Sequence, residues 1–195
     1  MPLALIATMC LTTACETQRV IERSALVAPT SAWPERRAAL RALPTFALAG
    51  RIAVAAGDQG FSGAMRFDQR LGKSELELDG PLGVGGLRLT WNGESLAVLT
   101  SRGEALDGEA ARAELERRLG FALPLDRMRY WLLGVPAPAV PADEILAADN
   151  RLTSLRQDDW QISYAQYSPV SGLPERMTVQ RENARVRLVL DRWQQ

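Results

Sequence analysis

The sequence predicts a mainly β fold with inserted helices, in which a large antiparallel sheet curls on itself and helices cover its apolar face. Three observations predict it. Segments such as Ser74–Asp79 alternate strictly, with Leu76 and Leu78 on one side and Glu75, Glu77 and Asp79 on the other. After one leading helix, the period changes to a helical one in the middle of the chain, between Asp107 and Leu133. About nine or ten strands follow one another in meander order, and an antiparallel sheet of that size curls or closes rather than staying flat.

The elements follow in chain order. Trp33-Pro34 opens a helix, because proline fits a first turn, and Arg36–Leu43 continues it until Pro44. Thr45–Ala56 reads as strand, as does Gly60–Arg70, where Phe61, Gly63, Met65 and Phe67 share one side. After Ser74–Asp79, Leu87, Leu89 and Trp91 repeat the alternation. Asn92-Gly93 then turns a hairpin into Leu96, Val98 and Thr100. A short strand covers Glu104–Leu106. Asp107 caps a helix whose Ala111, Leu115 and Leu119 stand at helical spacing, and Gly120 ends it. A second short helix, Leu125–Leu133, stops at Gly134, and Val135–Pro141 is a proline-rich crossing. Strands resume at Arg151–Arg156, Trp160–Tyr167, Arg176–Gln180 and Arg185–Leu190.

The first fifteen residues differ from the rest. They are apolar, hold no acidic residue and end in Ala14-Cys15, after which a polar segment begins at Glu16. A small residue before a cysteine at the end of such a run marks an export signal whose cleavage leaves a lipidated cysteine. No Lys or Arg precedes the run, and Thr12 stands where a leucine is usual. The run is too short to span a membrane, which takes about 20 apolar residues. The expected division is therefore a signal peptide over 1–14, lipidated Cys15 with a tether over 15–30, and one folded domain over 31–195.

Composition excludes several function classes. Lys+Arg and Asp+Glu number 23 each, so no net field draws the chain to nucleic acid. There is no histidine, and both cysteines lie in the leader. A Ser-His-Asp triad, a cysteine nucleophile in the mature domain and a histidine-ligated metal are thus absent. Nearly all the cations are arginine, which cannot serve as a base or a Schiff-base amine. We expect no catalytic residue, no metal and no cofactor. Gly83-Val84-Gly85-Gly86 is not a phosphate loop, since no Lys-Ser/Thr and no helix follow it.

A set of motifs in order carries a resemblance. It comprises Trp33, Gly50-Arg51, Phe67-x-Gln69, Gly80-Pro81-Leu82-Gly83 and Leu119-Gly120-x-x-Leu123-Pro124-Leu125. It continues with Tyr130-Trp131-Leu132-Leu133-Gly134-Val135-Pro136, Gln157-x-x-Trp160-x-Ile162-x-Tyr164-x-x-Tyr167, Pro174 and Trp193. From Trp33 to Trp193 the chain resembles the LolB family of outer-membrane lipoproteins, with Phe67 where that family usually has tryptophan. The resemblance implies an incomplete β-barrel with helices over its open side and a hydrophobic cavity between them. It implies a monomer on the periplasmic face of the outer membrane that accepts client lipoproteins from a LolA-like carrier and inserts them into the membrane. The cost of exposing three acyl chains of about 15 methylenes each is on the order of 35 kcal/mol, so such cargo must pass from one apolar cavity to another.

Each candidate site has a plainer reading beside it. Met65, Phe67, Leu76, Leu78, Leu89 and Trp91 are the candidate acyl-chain cavity, and the same stripe describes an ordinary filled core. Leu82, between Pro81 and Gly83, lies beyond the alternation of both flanking strands. It is either an exposed membrane-directed tip, as the resemblance implies, or part of a loop folded over the barrel end. Arg51 is a headgroup ligand at the cavity mouth or a surface ion pair. The competing functions are a tethered binding module for free lipid or another small apolar ligand, and a scaffold lipoprotein of an outer-membrane assembly machine.

Overall fold

The structure, a computed structural model, describes residues 32–80 and 85–194. Cys15, with its leader and tether, and the Pro81-Leu82-Gly83 tip lie outside the described residues.

Eleven strands form a single antiparallel sheet, and its order shows how the chain is laid down. A first meander runs outward through β1 (Thr45–Ala56), β2 (Gln59–Arg70), β3 (Lys73–Asp79), β4 (Leu87–Trp91), β5 (Leu96–Thr100) and β6 (Ala105–Asp107). A second runs inward through β7 (Ala142–Leu146), β8 (Leu152–Gln157), β9 (Trp160–Tyr167), β10 (Pro174–Arg181) and β11 (Ala184–Gln194). β11 then pairs with β1, so the two meanders join at the centre and leave β6 and β7 as the edges. The sheet does not close. What links its edges in sequence is the helical segment, α2 (Gly108–Leu119) and α3 (Leu125–Leu132), and α1 (Trp33–Arg41) precedes β1.

The alternation seen in the sequence becomes the two faces of the sheet. In β3 to β5 the residues Leu76, Leu78, Leu87, Leu89, Trp91, Leu96 and Val98 are all buried. Their neighbours carry an outer lattice of ion pairs, with Arg66 and Arg88 both reaching Glu77. Curling requires close approach of backbones on the inner side, and two glycines permit it. A Cβ on Gly50, at the register shift between β1 and β11, would sit 2.1 Å from the Val189 carbonyl oxygen. On Gly63 it would sit 1.9 Å from that of Asp79. No side chain fits at either place.

The helices begin and end for legible reasons. Pro34 occupies the first turn of α1, and Gly120 takes the left-handed conformation at φ +81° and closes α2 onto the Glu116 carbonyl. Asp107 does precede α2 directly, although its side chain makes no capping bond and its backbone still belongs to β6. One element does not show in the sequence pattern. β7, Ala142-Asp-Glu-Ile-Leu146, pairs on one side only and leaves Ile145 and Leu146 exposed, so it lacks the buried alternation that marks the other strands.

α1 lies against the β7 edge and the proline-rich crossing, held by polar ties. Trp33 Nε1 donates to Glu144 at 2.5 Å and Arg37 pairs with the same carboxylate at 2.9 Å. Arg41 donates to the Pro136 carbonyl at 2.9 Å, and buried Arg36 donates to that of Gly172 at 2.5 Å. Burial lowers the pKa of Arg36 from the usual arginine value. Among the described residues no helix is long and apolar enough to cross a membrane.

Candidate functional site

Between the rolled sheet and its helices lies an apolar hollow of about 40 Å³. The sheet supplies Ile52 and Val54 from β1, Met65 from β2, Leu76 and Leu78 from β3, and Met177, Val179, Val186 and Leu188 from β10 and β11. The helical side supplies Leu119, Phe121, Leu123, Met128, Trp131 and Leu132. Every wall residue is apolar. Among the described residues no group of His, Cys, Asp or Glu is placed to hold a metal.

The expected cavity residues divide between two places. Met65, Leu76 and Leu78 line the hollow. Phe67, Leu89 and Trp91 do not, and are packed nearer one end of the roll. Phe67 stacks on Phe46 at 5.5 Å between ring centroids and lies 5.9 Å from Trp91, while Phe46 also meets Trp193 at 6.1 Å. For Phe67 and Leu89 the plainer reading, an ordinary filled core, describes their surroundings, while Trp91 also borders a second hollow beyond Leu123 and Pro124. Ile52, Met128, Trp131, Met177 and Val186 are wall residues outside the expected set. The alternation of β10 and β11 was the signal for Met177 and Val186. Met128 and Trp131 had none, because a short helix does not reveal which way it faces.

Polar bonds fix the helical side of the hollow. Trp131 Nε1 donates to the Gln157 carboxamide oxygen at 2.9 Å, and Tyr164 donates to the Trp131 carbonyl at 3.0 Å. Gln157 also accepts from the Ala137 N–H and donates to the carbonyls of Ala137 and Val140, so one buried amide ties α3 and the proline-rich crossing to β8. Tyr167 donates to the Leu152 carbonyl at 2.8 Å. Burial raises the pKa of both tyrosines well above the usual phenol value. Trp131 packs against Trp160 of the sheet and walls the hollow as well.

The hollow is small. At about 40 Å³ it falls well short of the roughly 150 Å³ that takes a benzene ring. Its walls are nevertheless adaptable. Three of them are methionines, whose unbranched side chains refill space readily, and Phe121 enters from the link between α2 and α3 to lie 5.6 Å from Trp160. On the far side of Leu123 and Pro124 a second, open hollow of about 360 Å³ carries Trp91, Arg112, Asp126, Arg127 and Tyr130. The two hollows share only those two residues as a wall. Arg51 faces outward and lies 3.8 Å from Asp191, the surface ion pair among its two readings.

An unclosed antiparallel sheet, rolled and covered by helices over a hollow with apolar walls, defines the class: an incomplete β-barrel with an apolar interior. The comparisons with known proteins are more specific. The LolB family, described as outer membrane lipoprotein LolB, matches residues 44–193. The outer-membrane lipoprotein LolB of Nitrosococcus oceani is 34% identical over 169 residues, 85% of this chain and 84% of that protein. Those of Stutzerimonas stutzeri and Pseudomonas aeruginosa are 32% and 34% identical over 85% and 83% of this chain. The chain belongs to the LolB family of outer-membrane lipoproteins. The fold extends beyond that family: a DUF1329 family protein from Desulfovibrio piger superposes with a TM-score of 0.54 at 11% identity, over 86% of this chain and 93% of its own.

Proposed function

We propose that this protein receives the acyl chains of client lipoproteins from a LolA-like periplasmic carrier into its apolar hollow and delivers them to the inner leaflet of the outer membrane. The observation that carries the reading is the wholly apolar hollow under α2 and α3, walled by Met65, Met128 and Met177. Acyl burial then proceeds by displacement of Phe121 and the methionines, with no covalent step and no cofactor. Cys15 is the lipidated N-terminus that holds a monomeric domain at the membrane through residues 16–30. Leu82 is the apolar tip that enters the bilayer when cargo leaves.

The test is transfer. Purified carrier loaded with a labelled lipoprotein is incubated with this protein, and liposomes are added afterwards. The label should move first to the protein and then to the liposomes. Retention on the carrier sinks the proposal, and uptake of free fatty acid without uptake of lipoprotein would favour a free-lipid binding module.

A further inference from the structure

Charge balance over the whole chain hides an uneven surface. On the outer face of β2 to β4 Arg66 and Arg88 are neutralised: Arg66 pairs with Glu77 and Asp79, and Arg88 with Glu75 and Glu77. The outer face of β8 to β11 is different. Arg156, Arg176, Arg185 and Arg187 are exposed there, and among the described residues none has a carboxylate within 4.0 Å. The sheet brings them to one face from three strands, Arg156 from β8, Arg176 from β10 and Arg185 and Arg187 from β11. Arg187 stands between Thr178 on β10 and Ala53 on β1, and Arg185 between Gln180 and Ala55. Arg176 and Arg51 flank Val189 from opposite sides. The intervening outward positions are neutral: Ser163, Thr178 and Ala53 are short, while Gln180 lies opposite Arg185 and Gln161 accepts a hydrogen bond from Arg156 at 3.4 Å. Bordering carboxylates are Asp191, beside Arg51, Glu175, held by Gln166, and Asp143, opposite Arg156 in register. At the strand turns near Arg156 and Arg185 stand Asp158, paired with Arg127, Asp159, paired with Arg181, and Glu182.

We propose that this face is a docking surface for the anionic phospholipid headgroups of the membrane to which the chain is tethered. The proposal rests on the reading of Cys15 as the lipid anchor. Planar guanidinium groups bind phosphate in bidentate fashion. Arg185 and Arg187 stand about 7 Å apart along β11, Arg176 lies one diagonal step from Arg187 on the adjacent strand, and Arg156 lies about 14 Å from Arg185 across the sheet. Two further features border the same face. The tether ends at α1, whose Trp33 is bonded to Glu144 on β7, the strand beside β8. At the other side, the row that carries Arg187 crosses Ala53 to Ser62 on β2, next to the point where β3 ends and residues 81–84 follow. A tether of fifteen residues keeps the domain within about 20 Å of the bilayer on average, so contacts too weak to anchor it still orient it.

Orientation can be read directly, because the mature chain has no cysteine besides Cys15. Ser163→Cys, at the centre of the face, is labelled with a thiol-reactive fluorophore in the full-length lipidated protein. The protein is then reconstituted into phosphatidylcholine vesicles, with or without phosphatidylglycerol, that carry a headgroup quencher. Quenching should be at least about fivefold stronger with phosphatidylglycerol, fall when salt is raised, and be lost in the Arg176→Gln, Arg185→Gln, Arg187→Gln triple variant. Circular dichroism of that variant should match the parent, since all three side chains are exposed. Equal quenching in both vesicle types, or in parent and variant, overturns the membrane assignment and leaves the face to an acidic protein. Protein that fails to float with the vesicles overturns the anchor reading itself, and this proposal with it.

Discussion

The carboxamide oxygen of Gln157 accepts a hydrogen bond from Trp131 Nε1 at 2.9 Å, across 26 residues of sequence, and that bond fixes one wall of the hollow. Gln157 is 1% exposed, and the same amide satisfies the backbone of Ala137 in both directions. A helix of only eight residues has little stability of its own. α3 holds its place because its one buried indole and the chain that follows it are bonded to a strand. Removing Gln157 leaves several buried polar groups without partners.

Gln157→Ala should therefore destabilise the domain by about 3 kcal/mol, read as a lowered urea midpoint with little change in slope. Gln161→Ala, on the outer face of the next strand, should change stability by no more than about 0.5 kcal/mol. Equal effects at the two positions would mean that Gln157 is no more than an ordinary side chain of its strand.

The two inward glycines of the curled sheet make a second expectation. Gly63→Ala and Gly50→Ala place a methyl group against rigid backbone and should each cost about 2 kcal/mol or more. Gly60→Ala, whose added carbon would meet the Val54 carbonyl oxygen at an ordinary 3.6 Å, should be tolerated. Thermal unfolding of the three variants checks the contrast.

Stability should be nearly flat between about pH 5 and pH 9.5, because the chain contains no histidine. Above that range it should fall. Burial keeps Tyr164 and Tyr167 protonated in the native state at a pH where the unfolded chain, with phenols near pH 10, releases its protons. Raised native pKa values thus give a contribution that is complete below about pH 10 and is lost as pH rises through them. On the acid side the signs reverse. The hydrogen bond from Arg88 holds Glu77 below the usual carboxylate range, and that from Arg118 does so for Glu114. Both contributions are present above about pH 4.5 and lost below it, and that of Glu77 is small because Arg88 faces solvent. Urea titrations across pH check this, and Tyr164→Phe should shift the alkaline limb.

Leu82→Glu tests the membrane-directed tip. The domain should fold as the parent does, with a stability change of no more than about 1 kcal/mol, and should still take lipoprotein from the carrier. Delivery into liposomes should fail, because lipid rejects the new charge. A variant that unfolds and loses acceptance together would place Leu82 in the core, and full delivery would end its membrane role.

Much of this was legible in the sequence because strand periodicity is local. Alternation in β3, β4, β5 and β11, the Asn92-Gly93 turn and Gly120 after α2 specified most elements and the apolar side of each strand. The ordered motifs from Trp33 to Trp193 pointed to the family. β7 was not legible, since an edge strand with one partner carries no buried alternation. Nor was the division of the apolar stripe, in which Leu76 and Leu78 meet the hollow while Leu89 and Trp91 pack beside it. Position along the roll, not the pattern within a strand, decides between them.

By itself, then, the sequence determined a curled antiparallel sheet with helices on its apolar side, and it excluded histidine and cysteine chemistry from the mature domain. Tertiary structure alone decided three things: that the hollow is nearly filled, that Gln157 holds its helical wall, and that Arg156, Arg176, Arg185 and Arg187 form one unneutralised face. The physical reason is the same in each case. Local pattern fixes which face a side chain takes, but register, curvature and the landing place of a short helix fix which distant side chains become its neighbours.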